Sequence, residues 1–241
     1  MSEPETMTDP LVGFPWTELF SGYDDACKGF DAAGRHLKDL PEKQCCDRRL
    51  YYVLLDRFRV ELSESSSLRT DTYRAMLYWK HYSSGRGRAE RLCDLVVKDQ
   101  DSVGVALQHL SKKLRHPAER IPSVIRELVE SLGKYKLPGM AASSSLPTRT
   151  TFLHFAYPSV VPIFDSQALK SFGILQDCSN LRSDLLSRYI DSVCQLTDTH
   201  ALLHPKDARE SHIRITEMAL WVLRGKPSKL ASPRPKHVCV A

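Results

Sequence analysis

The sequence places one acid, Asp165, directly after an almost wholly apolar run, residues 160–164 (VVPIF), and before a stretch with helical character. A carboxylate in this position could act chemically, because a negative charge beside an apolar wall stabilises a nearby developing cation and can orient an attacking water. The same position is typical of a helix N-cap, whose carboxylate accepts hydrogen bonds from the first free N–H groups. The sequence alone leaves both interpretations open.

A second candidate site is the start of the helix that the pattern SSLPTRTTFLHFAY predicts just before this acid. Proline suits the first helical turn, where its missing N–H costs nothing. The free N–H groups of a helix start, together with hydroxyls and a guanidinium, can bind a phosphate. The alternative is that the serines only cap the helix and the arginine is solvated. The candidate phosphate-binding residues here are Ser145, Thr148, Arg149 and Thr150.

Aromatic and cationic residues alternate in the segment LYWKHYSSGRGRAER, residues 77–91. Such a mixture suits the stacking of bases and the contact of phosphates. At helical spacing the rings could equally face the core, with the arginines in a solvated loop. The candidates for contact with a base are Tyr78, Trp79, Lys80 and Tyr82, and those for contact with phosphate are Arg86 and Arg88.

Two further ionisable residues lie among apolar neighbours. His154 follows Leu153 on the predicted helix and is a candidate for substrate contact, although a histidine in such a place is often a hydrogen-bonded interior residue. Glu217 lies near Met218 and Trp221 on the last predicted helix, where it could be a pocket carboxylate or part of the outer face.

The elements that must position these residues are predicted to be helices. Apolar residues recur every three or four positions through most of the chain, and prolines in residues 158–162 argue against a central strand. We therefore expect an all-α fold of about nine helices in one compact domain. The predicted helices span about 23–40, 48–58, 70–82, 87–98, 101–115, 118–133, 148–157, 181–202 and 208–224.

Composition predicts an intracellular protein that needs neither disulfide bonds nor a metal or cofactor. The chain of 241 residues is 42% apolar and 26% charged, and its net charge of +5 is compatible with a phosphate-bearing partner. Its seven cysteines show no metal-binding spacing, so we expect reduced thiols and neither metal nor cofactor. No apolar run could cross a bilayer and the first residues lack signal-peptide features. We expect flexible tails at 1–12 and 226–241 around a domain at 13–225.

The segment 134–173 resembles the helix-hairpin-helix DNA glycosylase superfamily, although the likeness covers only about forty residues. Leu137-Pro138-Gly139 looks like the start of the hairpin, residues 150–157 resemble its second helix, and PIFD at 162–165 is similar to the stretch that carries the catalytic acid. The chain departs from the family where Met140-Ala141 and an apparent insertion replace the expected second glycine.

The resemblance implies that the hairpin grips the DNA backbone and that Asp165 assists cleavage of the glycosidic bond. The family's bifunctional branch has a lysine early in the second helix, where this chain has Arg149, a guanidinium that cannot form a Schiff base. The resemblance therefore implies a monofunctional, metal-independent DNA glycosylase, acting as a monomer in the cytoplasm, nucleoid or nucleus on a damaged or modified base. The alternative is a non-catalytic all-α module that binds nucleic acid or protein.

Overall fold

The periodic apolar segments form helices in the computed structural model, which describes residues 9–27, 46–65, 67–82, 87–114, 121–141, 145–173, 183–206 and 208–223. Within these ranges there are ten α-helices and no strand, which confirms the all-α prediction. The helices are α1 (Leu19–Ala26), α2 (Asp47–Val60), α3 (Thr70–His81), α4 (Arg88–Lys98), α5 (Gln100–Lys113), α6 (Pro122–Leu132), α7 (Leu146–Ala156), α8 (Ser166–Ser171), α9 (Ser183–His200) and α10 (His212–Leu223).

Most predicted helix bounds agree with the observed ones to within a few residues, with the largest difference at the N-terminus. The stripe predicted to run from Tyr23 to Leu40 is helical up to Ala26, and its remainder lies outside the described residues. The predicted C-terminal tail also lies outside them. Of the predicted N-terminal tail, residues 9–12 are described, and Leu11 there is fully buried. The packed part of the chain therefore includes residues that the sequence argument assigned to a tail.

Helix α7 lies at the centre of one half of the fold, in contact with α2, α3 and α6. Every residue of α7 from Thr148 to Phe155 is buried, so this helix has no solvent face. A helix that is enclosed on all sides must satisfy its polar side chains internally. The three threonines, the arginine and the histidine of α7 therefore have structural partners, which matters for the site below.

Helix α10 has the same central role in the other half, where it packs against α1, α8 and α9. Its residues 213–220 are all buried, including Arg214 and Glu217. Two charged residues within a buried stretch of helix require partners of opposite charge or a polar cavity. No described helix is long and apolar enough to span a membrane.

The start of α3 is held by Glu61, which precedes it in the chain. The Glu61 carboxylate accepts hydrogen bonds from the Arg69 backbone N–H at 2.8 Å and from the Thr72 hydroxyl at 2.6 Å. A carboxylate at a helix N-terminus satisfies free N–H groups and interacts favourably with the helix dipole. This contact fixes the helix that carries Trp79 and Lys80.

The turn between α6 and α7 depends on a glycine. Gly139 has φ +80, and the Met140 N–H donates to the Leu137 carbonyl at 2.8 Å. A Cβ at position 139 would lie 3.2 Å from a Leu77 methyl group and 3.3 Å from the Thr148 methyl group. Glycine is therefore required here both for the left-handed backbone and for close packing.

These two requirements can be separated by substitution. We expect Gly139→Ala to lower the free energy of unfolding by about 2–3 kcal/mol, because backbone strain adds to overpacking. The control is Gly13→Ala, which has φ +72 but nothing within 4 Å of the added Cβ. It should cost only about 1 kcal/mol of strain. Urea denaturation measures both values, and equal losses for the two variants would contradict tight packing at residue 139.

Candidate functional site

The segment before Asp165 is buried, lacks regular structure and is held by side chains. Residues 161–165 have no helical or strand assignment, although Val161, Ile163 and Phe164 are buried. Buried backbone groups outside a helix or sheet need hydrogen-bond partners from elsewhere. The contacts are His154 Nδ1 with the Val161 carbonyl, the Ile163 N–H with Glu217, Tyr189 Oη with the Ile163 carbonyl, and the Phe164 N–H with Thr150 Oγ1.

Asp165 uses its two oxygens differently. Oδ1 accepts a hydrogen bond from the Gln167 backbone N–H at 2.7 Å, so the residue is the N-cap of α8. Oδ2 lies 2.6 Å from Nζ of Lys80, which reaches it from α3. The Asp165 side chain is 26% exposed and that of Lys80 is 7% exposed. The helix cap that the sequence offered as one alternative therefore coexists with an ion pair at the edge of the protein interior.

The charge of Asp165 is stabilised by these partners. Burial by itself would raise the pKa of the carboxyl, but Lys80, the Gln167 N–H and Arg214 together lower it below the ordinary value. Asp165 is therefore a carboxylate at neutral pH. Arg149 is buried and its Nε donates to the Met140 carbonyl at 2.9 Å, whereas Lys80 lies beside Asp165.

A second group of charges surrounds Arg214 of α10. Its Nη2 donates to Tyr23 Oη at 2.6 Å, and Tyr23 Oη in turn donates to Asp47 at 2.9 Å. The guanidinium also lies 4.8 Å from the ring centre of Tyr51 and 5.2 Å from that of Trp79. Contacts with ring faces stabilise a buried cation. The charge of Arg214 is thus stabilised by an acid, reached through Tyr23, and by the faces of several aromatic rings.

Glu217 lies one helical turn beyond Arg214 and faces the same region. Its Oε1 accepts a hydrogen bond from the Ile163 N–H, and its Oε2 lies 3.7 Å from Arg214 Nη1, beyond hydrogen-bonding distance. Oε2 is buried and has no hydrogen-bond partner among the described residues. Burial raises the pKa of Glu217 to about 8, although Arg214, the Ile163 N–H and Lys80 oppose the shift. At neutral pH Glu217 is therefore mostly a neutral carboxylic acid.

These groups line one partly enclosed cavity of about 50 Å³. Five aromatic side chains, two cations and three acids contribute to its wall. A volume of this size holds one or two water molecules. The lining residues are Tyr23, Asp47, Trp79, Lys80, Tyr82, Ile163, Asp165, Ala168, Tyr189, Arg214, Glu217 and Trp221.

The structure brings together only some of the predicted contact residues. Trp79, Lys80 and Tyr82 line the cavity with Asp165. Tyr78 is fully buried and is not among the lining residues. The sequence left open whether Glu217 lies in a pocket or on the outer face, and the structure places it in the wall of the cavity.

His154 is also an interior residue and does not line the cavity. Its Nε2 lies 2.8 Å from Tyr51 Oη, and its Nδ1 lies 2.8 Å from the Val161 carbonyl oxygen. Burial lowers the pKa of His154 to about 3, so the ring is neutral at pH 7. Because a carbonyl can only accept, Nδ1 carries the proton and Nε2 accepts from Tyr51. This histidine holds the segment that carries Asp165.

The predicted phosphate-binding residues at the start of α7 are turned inward. Ser145 donates to the Met140 carbonyl at 2.7 Å, and Thr148 Oγ1 lies 2.9 Å from His81 Nε2. Thr150 donates to the Leu146 carbonyl at 2.9 Å. All of them are buried, as is Arg149, so their roles towards phosphate stay predictions. Arg88 is exposed at the start of α4, and Arg86 lies outside the described residues.

Sequence reasoning missed several members of the site. Tyr23, Asp47, Tyr189, Arg214 and Trp221 come from four helices that are distant in the chain. The one available signal was the pair Arg214 and Glu217 on an otherwise apolar helix, which indicates buried charges. Nothing in the sequence shows that α3 and α10 meet at the same cavity.

The described residues contain no group of three or more histidine, cysteine or acidic side chains arranged to hold a metal ion. Comparison of the chain with family models, curated proteins and solved structures found no match. The resemblance to the helix-hairpin-helix glycosylases therefore stays a prediction that rests on the sequence. What the structure defines is an all-α protein with a small cavity lined by charged and aromatic side chains.

The ion pair between Lys80 and Asp165 makes a prediction about stability. Lys80→Met keeps most of the side-chain volume but leaves a partly buried carboxylate without its cation, which we expect to cost about 2 kcal/mol at pH 7. The pKa of Asp165 is lowered in the folded protein, and the ordinary pKa of an aspartate is 3.8. The stability that the ion pair contributes is therefore present above about pH 3.8 and is lost as the pH falls further.

Urea denaturation at pH 7 and at successively lower pH measures this effect. The difference between the wild-type protein and Lys80→Met should shrink below about pH 4. Lys170→Met, at an exposed lysine of α8, is the matched control and should change stability by less than about 0.5 kcal/mol. A Lys80→Met protein as stable as the wild type at pH 7 would argue against the ion pair.

Proposed function

We propose that the protein is a monofunctional DNA glycosylase that hydrolyses the N-glycosidic bond of a damaged or modified base. The observation that carries the proposal is the ionised carboxylate of Asp165, fixed at the edge of a cavity with aromatic walls. Cleavage of a glycosidic bond builds positive charge on the sugar, and a preorganised carboxylate stabilises that charge. The resemblance of residues 134–173 to the glycosylase superfamily supports the same reaction.

The contacts of Asp165 suit this role. Its Oδ1 is occupied by the Gln167 N–H, which fixes the orientation of the carboxylate. Its Oδ2 accepts from Lys80 Nζ, and this is the oxygen that would face the sugar cation. An ion-paired ammonium has no lone pair with which to attack C1′, so Lys80 holds Asp165 ionised and a water molecule remains the nucleophile.

The walls of the cavity suit an unpaired base. A nucleobase taken out of its duplex is held between flat aromatic or apolar side chains, with polar groups on its edge. Trp79, Tyr82 and Trp221 supply rings, and Arg214 and Glu217 supply polar atoms. A nucleobase needs more room than about 50 Å³. Binding therefore requires the half-buried side chains of Tyr82 and Trp221 to move aside.

The alternative function is a non-catalytic module that binds nucleic acid or protein. The specific observation in its favour is that both oxygens of Asp165 already have partners, one in the cap of α8 and one in Lys80. In that case the ionic groups around the cavity serve only the stability of the fold. The small volume of the cavity agrees with this alternative as well.

Asp165→Asn separates the two functions. Asparagine remains a good N-cap and retains an acceptor for the Gln167 N–H, but it carries no charge to stabilise the sugar cation. We expect base release to fall by about 100-fold or more, with DNA binding nearly unchanged. The measurement is the formation of alkali-labile abasic sites in a panel of duplexes that contain modified bases.

Asp101→Asn, at an exposed acid of α5, is the control and should retain full activity. EDTA should have no effect on the reaction, because the proposal involves no metal. If the wild-type protein releases no base from the panel but binds DNA or a protein partner, the alternative function is supported. An Asp165→Asn variant that retains full base release would exclude the proposed role of this carboxylate.

A further inference from the structure

Two of the three acids that line the cavity, Asp165 and Glu217, have opposite environments, and only Asp165 has a role in the proposed reaction. Asp165 has a cation at 2.6 Å and a backbone N–H at 2.7 Å. Glu217 is 3% exposed, and its Oε2 has no hydrogen-bond partner in the described part of the chain. Two carboxyl groups whose surroundings favour opposite protonation states are the usual requirement for an acid that donates a proton beside a carboxylate that stabilises a cation.

We propose that Glu217 donates the proton to the departing base from Oε2, and that the substrate is therefore a base that is electrically neutral in DNA. This inference rests on the proposed glycosylase function and deepens it. It adds a second catalytic residue and restricts the class of substrate. Neutral bases are poor leaving groups without protonation, whereas a base that is already cationic, such as 7-methylguanine, leaves as a neutral molecule.

The geometry around Glu217 fixes which oxygen can donate. Oε1 accepts from the Ile163 N–H, and the carbonyl oxygen is the better acceptor of a neutral carboxylic acid, so we assign Oε1 as the carbonyl oxygen. The proton is then on Oε2, which is buried 3.7 Å from Arg214 Nη1, on a residue that lines the cavity. The guanidinium cannot accept this proton, so no described neighbour competes with the substrate for it.

The charges that face Glu217 come from several helices. Arg214 on its own helix and Lys80 on α3 favour the ionised form, while Asp165 and the burial of the group favour the neutral form. Two tyrosines also face it, Tyr189 on α9 and Tyr51 on α2, and both are neutral because burial raises their pKa. The net result is the pKa of about 8 for Glu217, so its proton is present at pH 7 and is lost in the alkaline range.

The proposed steps balance as a hydrolysis. As the bond between C1′ and the base nitrogen breaks, its electron pair goes to the base and the Glu217 proton is transferred to it. The sugar cation that forms lies beside the Asp165 carboxylate. A water molecule then adds through its oxygen to C1′ and gives a proton to the Glu217 carboxylate, which restores the acid. The products are the free base and an abasic site.

Glu217→Gln tests the proton donation with little change in shape. The glutamine keeps an acceptor for the Ile163 N–H but has no acidic proton. We expect its release of neutral bases to fall by about 100-fold or more, the usual contribution of a general acid. Its release of 7-methylguanine should fall by less than about tenfold. The wild-type rate on neutral bases should decrease above about pH 8, and the rate on 7-methylguanine should not.

Two control variants separate donation from positioning. Asp165→Asn should lose both substrates alike, because both reactions pass through a sugar cation. Tyr189→Phe removes the hydrogen bond to the Ile163 carbonyl and should also affect both substrates alike, since it only loosens the segment. If Glu217→Gln loses both substrates equally, Glu217 is a positioning residue and the inference is wrong. It is also wrong if the wild-type protein releases 7-methylguanine and no neutral base.

A measurement without substrate tests the protonation of Glu217 independently. The pKa of Glu217 is raised in the folded protein from the ordinary glutamate value of 4.5 to about 8. The wild-type protein therefore loses stability as the pH rises from 4.5 towards about 8, and Glu217→Gln does not share this loss. The Tm of Glu217→Gln relative to the wild type should rise by roughly 5 °C or more between pH 5 and pH 9. A constant difference would overturn the inference. If the wild-type protein acts on no base while this shift is observed, the proposed function fails and the protonated Glu217 does not.

Discussion

The position of Asp165 depends on one constraint, the need of a buried irregular backbone for hydrogen-bond partners. The segment 161–165 lies in the interior, and the described ranges of the chain contain no strand with which it could pair. Its N–H and carbonyl groups are instead satisfied by side chains of three helices, including His154 of α7, Tyr189 of α9 and Glu217 of α10. Each unsatisfied group would cost about 1–3 kcal/mol, so these polar side chains are needed to keep the segment buried.

The same constraint explains why the polar residues of α7 point inward. Thr150 and His154 hold the segment before Asp165, and Arg149 binds the carbonyl of Met140 in the turn that Gly139 makes possible. A helix start rich in hydroxyl groups resembles a phosphate site in sequence, yet here its groups stabilise the turn before α7 and the segment after it. Whether a polar residue serves the fold or a reaction depends on which groups it contacts, and sequence spacing does not specify those contacts.

The cavity lies where α10 and the segment that carries Asp165 meet the end of α3. Trp79 and Lys80 come from α3, and Arg214 and Glu217 come from α10. Arg214 is stabilised by Asp47 through Tyr23 and by ring faces, and the Glu217 Oε2 that lies 3.7 Å from it has no hydrogen-bond partner among the described residues. Asp165 receives Lys80 instead. One cavity therefore contains an ionised and a neutral carboxyl group, and the proposed chemistry depends on that difference.

The sequence determined the helices, because apolar residues at intervals of three and four specify which segments can bury a stripe. It also identified Asp165 as either a helix N-cap or a catalytic carboxylate, and the aromatic residues on α3 as candidates for contact with a base. Only the tertiary structure decided the partners. The pairing of Lys80 with Asp165 joins residues 85 positions apart, and Arg214 reaches Tyr23 over 191 positions. Local patterns fix secondary structure, whereas the environment of a charge depends on which helices pack together.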